Sequence, residues 1–371
     1  MFKNYRVRDY DFKLILMLIA ISVIGILAIG SANADYQGRQ ILGLIIGFFL
    51  MILLSFFDYN IFLNFYWVIY VVNIALLVLV QVAGDSSGGA QRWLDMGGIR
   101  FQPSETAKIM LILFYAQFIM KHRENINTLR NIVLMILTLL PPLLLILKQP
   151  DLSTSIMIII IFCTIWFIGG LSMKIIGGVL AVAIPSAVIF LMLVMQPDQN
   201  IIEGYQQTRI LAWLNPEKYS TGVAYQQNNA IMAIGSGELW GKGLNNNVIS
   251  SVKNGNFISE PHTDFIFTIV GEELGFVGSC IVVGLLFLIT LECIAVAKKA
   301  KDTAGACICA GVAALIGFQS FINISVATGL LPNTGIPLPF VSYGLTSLVS
   351  LFIGMGFVLN VRLQCVRKYN N

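Results

Sequence analysis

The run "LILMLIAISVIGILAIG", residues 14–30, holds seventeen consecutive residues without an ionisable side chain. A helix needs roughly 17 to 25 residues to cross the hydrocarbon of a bilayer. Nine further apolar runs of spanning length follow, near 41–57, 61–83, 104–120, 131–148, 154–171, 175–195, 276–297, 304–329 and 343–361. A segment in lipid must satisfy its own backbone polar groups, so each run reads as a helix rather than a strand. The expected fold is an all-α polytopic membrane protein with about ten transmembrane helices, a single integral-membrane domain over residues 1–371.

Composition agrees with this reading. Hydrophobic residues make up 57% of the chain and charged ones 11%, and the mean hydropathy of +0.81 lies far above that of a soluble globular protein. The first run continues without a small-residue cleavage pattern, so it reads as a span and not as a cleavable signal. The six cysteines fall in apolar runs or the last segment, which argues against a disulfide framework; they read as small buried apolar residues. Cys307-x-Cys309 lacks the additional Cys or His ligands of a zinc site.

Ten crossings put both termini on one side. With a cytoplasmic N-terminus, 14 of the 23 Lys and Arg residues fall on inner segments, among them Lys3, Arg6, Arg8, Lys298, Lys299 and Lys301. The positive-inside rule therefore places both termini in the cytoplasm. The net charge of +4 reflects this bias and gives no reason to invoke nucleic acid. Residues 196–263, mostly polar, then form a 68-residue extracytoplasmic loop between the seventh and eighth spans. A loop of that length is more often functional than merely connecting.

Ionisable residues inside or beside the spans stand out. "QRWLDMGGIRFQPSETAK", residues 91–108, puts Pro103 at a helix start with Glu105 and Lys108 three apart, close enough to pair. Two readings are open: an acid favoured by the helix dipole with a snorkelling lysine, or a charged pair inside a hydrated cavity. "SEPHTDFIFTIVGEELG", residues 259–275, has the same ambiguity. Thr263 and Asp264 can cap a helix, or Asp264 is a carboxylate at the water–lipid boundary whose desolvation makes it a better base. Residues 264–275 read as a partly amphipathic lead-in, with Glu272 and Glu273 mainly structural. "TGLLPNTGIPLPFVSYGLTS", residues 328–347, has three prolines and three glycines, cannot be one helix, and reads as a broken segment lining a cavity. In "LKQPDLSTS", residues 147–155, a Pro-bounded polar knot, Lys148 and Asp151 are close enough in sequence to pair locally.

Five motifs, "AQRWLDMGGIRFQPSETAK", "QPDLSTS", "IMAIGSGELWGKG", "EPHTDFIFTIVGEELG" and "GIPLPFVSYG", together resemble the SEDS family of cell-wall polymerases, in family order between residues 90 and 347. The wording lies closest to the elongation branch, with the division and sporulation polymerases as alternatives. One departure is visible: Leu345 and Thr346 stand where the family has a "SYGGS"-type run.

The resemblance implies a peptidoglycan glycosyltransferase in the bacterial cytoplasmic (inner) membrane, polymerising lipid II at its outer face for cell elongation and shape. The growing glycan on undecaprenyl pyrophosphate is the donor, and the 4-hydroxyl of the incoming lipid II attacks it. Asp264 matches the family's essential aspartate and is the candidate general base. Glu105 and Lys108 match its charged pair in the central cavity. A diphosphate substrate calls for cationic donors, and Arg92, Arg209 and Lys242 are outer-face candidates by charge and placement. His262, Thr263 and Ser342 complete the substrate-binding candidates. No resident metal site is expected, and a divalent cation assisting the diphosphate is left open. The implied partners are membrane lipids and a class B penicillin-binding protein supplying transpeptidation. A flippase for the lipid-linked precursor is the alternative, with less need of a long outer loop that ends in an acid.

Overall fold

The computed structural model describes residues 10–87, 90–95, 97, 100–194, 196, 204–219, 222–245, 251, 257–258 and 260–369. Lys3, Arg6 and Arg8 lie outside the described residues, so the first cluster of the charge-bias argument is not among them. Thirteen α-helices are described: α1 Phe12–Ala32, α2 Ala34–Phe56, α3 Tyr59–Asn64, α4 Tyr66–Ala83, α5 Pro103–Lys121, α6 Leu129–Lys148, α7 Leu152–Ile168, α8 Met173–Val194, α9 Gly204–Leu214, α10 Val223–Ser236, α11 Ile266–Lys298, α12 Thr303–Ala327 and α13 Leu345–Tyr369. A small antiparallel sheet, β1 Asp85–Ser87, β2 Ala90–Asp95 and β3 Arg100–Phe101, sits between α4 and α5.

Seven helices are long and apolar enough to cross a bilayer by length and composition: α1, α2, α4, α6, α11, α12 and α13. The other three expected crossings are helices too. Of these, α5 carries Glu105, Lys108 and Lys121, α7 has 17 residues, and α8 has 22. Short polar side chains define several starts, since the first backbone N–H groups of a helix lack partners. Asp11, Asn33, Asp58, Asp151 and Asp302 accept from the backbone at the heads of α1, α2, α3, α7 and α12.

Burial sorts the helices into an inner and an outer set. Of the apolar window in each span, 78% is buried in α12 and 83% in α13, against 22% in α4 and 28% in α6. In α5 nearly every residue from Pro103 to Ile119 is buried. A helix apolar all round belongs in the interior, whereas one that meets lipid keeps apolar side chains outside. Helices α5, α12 and α13 therefore form the centre. Arg362 near the end of α13 lies 3.8 Å from Asp11 at the head of α1, so the two ends of the chain share one end of the bundle.

Two expectations change, and one gains detail. The long connection 196–263 contains α9 and α10, whose glutamines and asparagines hide a helical pattern behind a polar average. The cysteines are all free, but Cys163 and Cys280 are exposed, on α7 and α11, where an outward apolar side chain can meet lipid. The lead-in to α11 is not amphipathic: residues 265–273 are buried in protein throughout.

Helix α11 is two helices end to end. Gly275, at φ 66° and ψ −162°, interrupts it in a conformation open to glycine. Residues 237–243 close over the break. The Phe276 and Val277 N–H groups donate to Glu238 and Leu239 O, and the Lys242 and Gly243 N–H groups donate to Glu272 and Glu273 O, at 2.8–3.2 Å. The backbone groups that the break orphans are thus satisfied by a clasp from the preceding loop.

Candidate functional site

At the end of the bundle opposite the termini, the sheet, the head of α5, the α6–α7 turn, residues 260–264 and the segment between α12 and α13 enclose a cavity of about 220 Å³. Two larger clefts, of about 660 and 700 Å³, are lined mostly by apolar side chains of α7, α10, α11 and α12. The smaller one collects the charge.

Pro103 opens α5 as expected, so Glu105 falls in its first turn. Lys108 Nζ lies 2.8 Å from Glu105 Oε1, with side chains 3% and 6% exposed. Lys108 therefore does not snorkel; it points inward and also donates to Gln319 Oε1 at 3.1 Å. Two buried charges are tolerable only when paired and hydrogen-bonded, and here both line the cavity wall.

Asp264 lies in a turn at 261–265, and α11 begins at Ile266 with no side-chain cap. Thr263 Oγ1 donates to Glu260 O at 3.0 Å, so neither Thr263 nor Asp264 caps the helix. Its carboxylate lines the cavity beside Gly335, where a Cβ would stand 3.4 Å from Oδ2. Gly335 has φ +74°, which glycine adopts without strain, and so brings bare backbone against the acid. Burial pushes the Asp264 carboxyl up to about 6; Arg209 and Arg92 oppose the rise while Glu260 and Asp151 add to it.

A model of the cell cycle protein family, FtsW/RodA/SpoVE, matches residues 11–366. The chain belongs to this SEDS family. It is 36% identical over 358 residues to the peptidoglycan glycosyltransferase MrdB of Escherichia coli K12, covering 95% of this chain and 93% of that protein. A probable peptidoglycan glycosyltransferase FtsW of Trichlorobacter lovleyi is 32% identical, with 97% and 94% covered. Among solved structures, a chain of a peptidoglycan synthase complex, described as coordinating polymerization and crosslinking, superposes with a TM-score of 0.79 at 29% identity, covering 96% of this chain and 98% of that one. The rod shape determining protein RodA of Thermus thermophilus gives 0.69 at 28% identity, with 95% and 96% covered.

Within this SEDS protein the candidate cations separate. Arg92 reaches the cavity from β2 while its Nε donates to Gln149 O at 3.0 Å and its Nη2 to Pro150 O, pinning the sheet to the α6–α7 turn. Arg209 comes from α9, donates to Asn333 O at 3.4 Å, and brings Nη1 to 3.9 Å from the point where a Cβ of Gly335 would stand, beside Asp264. Lys242 does not line the cavity: it belongs to the clasp, its Nζ 2.9 Å from Glu272 Oε1. Glu273 accepts from Ser31 Oγ at 2.5 Å, so both glutamates make structural contacts.

Two other candidates also stand behind the cavity. His262 is buried and stacks on Tyr36, with ring centroids 4.4 Å apart at 15°. Ser342 Oγ donates to Thr263 O and accepts from Leu338 N–H, both at 2.7 Å, so it shapes the turn. Thr263 does line the cavity. Asp151 meets the α7 head through Thr154 N–H and Oγ1, at 3.1 and 2.9 Å, and makes no ion pair with Lys148 among the described residues. Thr346, the departure from the family run, is a cavity residue whose Oγ1 accepts from Gln102 N–H at 3.2 Å.

Residue types alone passed over Trp93, which lines the cavity, and Gln319 and Asn323, which brace its wall. The available signal was a pair of amides four apart inside an otherwise apolar span, since polar groups at that depth are rare without a task.

Proposed function

We propose that this protein is a peptidoglycan glycosyltransferase that polymerises lipid II at the outer face of the bacterial cytoplasmic membrane, for elongation and shape. The observation that carries the reading is the Asp264 carboxylate, which caps no helix and lines a cavity it shares with the buried Glu105–Lys108 pair.

In the proposed step, Asp264 accepts the proton of the 4-hydroxyl of the incoming lipid II sugar. The oxygen bonds to the anomeric carbon of the growing glycan, and the bond from that carbon to undecaprenyl pyrophosphate breaks. Negative charge develops on the departing diphosphate, where Arg209 and Arg92 are the candidate cations whose charge reaches Asp264. Glu105 pairs with Lys108 in the wall and gives the cavity its polarity. The donor and acceptor both carry lipid, which suits a site at one end of a helix bundle.

A class B penicillin-binding protein is the partner that would cross-link the glycan, a reading supported by the likeness to a synthase complex that couples the two activities. The test is a polymerisation assay on purified protein with labelled lipid II, alone and with that partner, with Asp264→Asn in parallel. Glycan ladders from the wild type and none from the variant are expected. Lipid II crossing liposome bilayers without ladders would replace the polymerase with a flippase.

A further inference from the structure

Gln319 and Asn323 lie four positions apart on α12, one above the other on the same face. Both are buried, at 0% and 1% exposure. Their partners form a regular pattern. Gln319 Nε2 donates to Pro337 O at 2.9 Å while its Oε1 accepts from Lys108 at 3.1 Å. Asn323 Nδ2 donates to Ile336 O and to Asp264 O, each at 2.7 Å. Each amide therefore holds one of two consecutive carbonyls of the same non-helical segment, and each also holds one charged residue of the site. The contacts fix both amide orientations: a reversed Asn323 would face two carbonyls with its oxygen, and a reversed Gln319 would face an ammonium with its NH₂.

The two segments held this way have no regular structure of their own. Residues 261–265 are a turn, and residues 332–338 lie in neither helix nor strand. A rigid central helix is the common support for both. We propose that Gln319 and Asn323 are positioning residues, a two-rung bracket that sets Lys108 and Asp264 relative to each other by tying both to the Ile336–Pro337 backbone. This rests on the reading of Asp264 as the base. An error of about 1 Å in such a placement is enough to cost on the order of a hundredfold in rate. The bracket therefore acts on turnover without touching substrate.

The experiment compares Asn323→Leu and Gln319→Leu with the wild type in full-length purified protein, by steady-state polymerisation of lipid II and by infrared titration of the Asp264 carboxyl, assigned by difference against Asp264→Asn. The charged groups facing Asp264 are Arg209, Glu260, Arg92 and Asp151, and all are kept in both variants. For Asn323→Leu, kcat should fall about tenfold or more with KM within about twofold, and the carboxyl titration should move down toward the ordinary carboxylate range as the turn is released. Gln319→Leu should lower kcat with that titration unmoved. Asn323→Ser, which keeps one donor, should recover part of the rate, and it serves as the test if the leucine variant does not fold. An unchanged titration with unchanged kcat per folded molecule overturns the bracket, even where the melting temperature drops. If the wild type makes no glycan, the polymerase reading fails, and the titration alone still decides the bracket.

Discussion

Lys242 sets its ammonium 2.9 Å from the carboxylate of Glu272, three residues before the break in α11 at Gly275. The pair closes a clasp in which residues 237–243 hydrogen-bond to both sides of the break, and the short helix before that break begins just after Asp264. A motif of the extramembrane stretch is thereby tied to the element that presents the acid.

Lys242→Ala should therefore destabilise the protein and leave the cavity's own groups in place. Glu272 is 2% exposed and Lys242 26%, so the cost is set toward the low side of a broken buried pair, about 2–3 kcal/mol. Thermal melting in detergent reads it. Lys242→Met with Glu272→Gln should melt above Lys242→Ala, because no carboxylate then loses its counter-charge.

Gly275→Ala should be worse. The new Cβ would stand 2.3 Å from the Gly241 backbone nitrogen, and φ 66° with ψ −162° suits glycine alone. A loss of about 3 kcal/mol or more is expected. Melting at the wild-type temperature would show that the clasp is not closed.

The acid limb of polymerisation follows from Asp264. Its carboxyl titrates at about 6 against an ordinary 3.8, raised first by burial. Below that pH the base is protonated, and the rate should fall about tenfold per pH unit. Stability moves the other way. Between those two values the folded state binds more protons than the unfolded one, so this group's contribution to stability grows as pH falls through the window. A rate loss near pH 6 without loss of fold is the expected signature, and a flat rate down to pH 5 would remove Asp264 from the role.

Glu105→Gln tests the charged pair. The substitution keeps the shape and leaves Lys108 without its counter-charge in a buried site, a cost of about 3–5 kcal/mol. Glu105→Gln with Lys108→Met should recover much of the stability, since two neutral side chains need no pairing. Recovery of activity in the double variant would show that the pair is structural support only.

The hydrophobic runs were legible because a membrane span is a local property of sequence: length and absence of charge suffice to name it. All ten expected segments are helices, and the segment before α13 is broken as its prolines and glycines demanded. Asp264, Glu105 and Lys108 stood out for the same reason, since charge is conspicuous against an apolar chain. Lys242 and Arg209, nominated by charge and placement, and His262 and Ser342 are not among the residues lining the cavity, because position in the sequence says nothing about which way a side chain faces.

Reading the chain alone yields the spans, the helix start at Pro103, and the charged residues that lipid would not tolerate unpaired. Packing assigned the rest. The contact from Asn323 to Asp264 O bridges 59 positions and that from Gln319 to Lys108 bridges 211. The partner of a buried amide is chosen by which backbone the folded helices bring within 3 Å of it. No local pattern encodes that distance, because it depends on how α5, α11 and α12 meet around a segment that has no regular structure of its own.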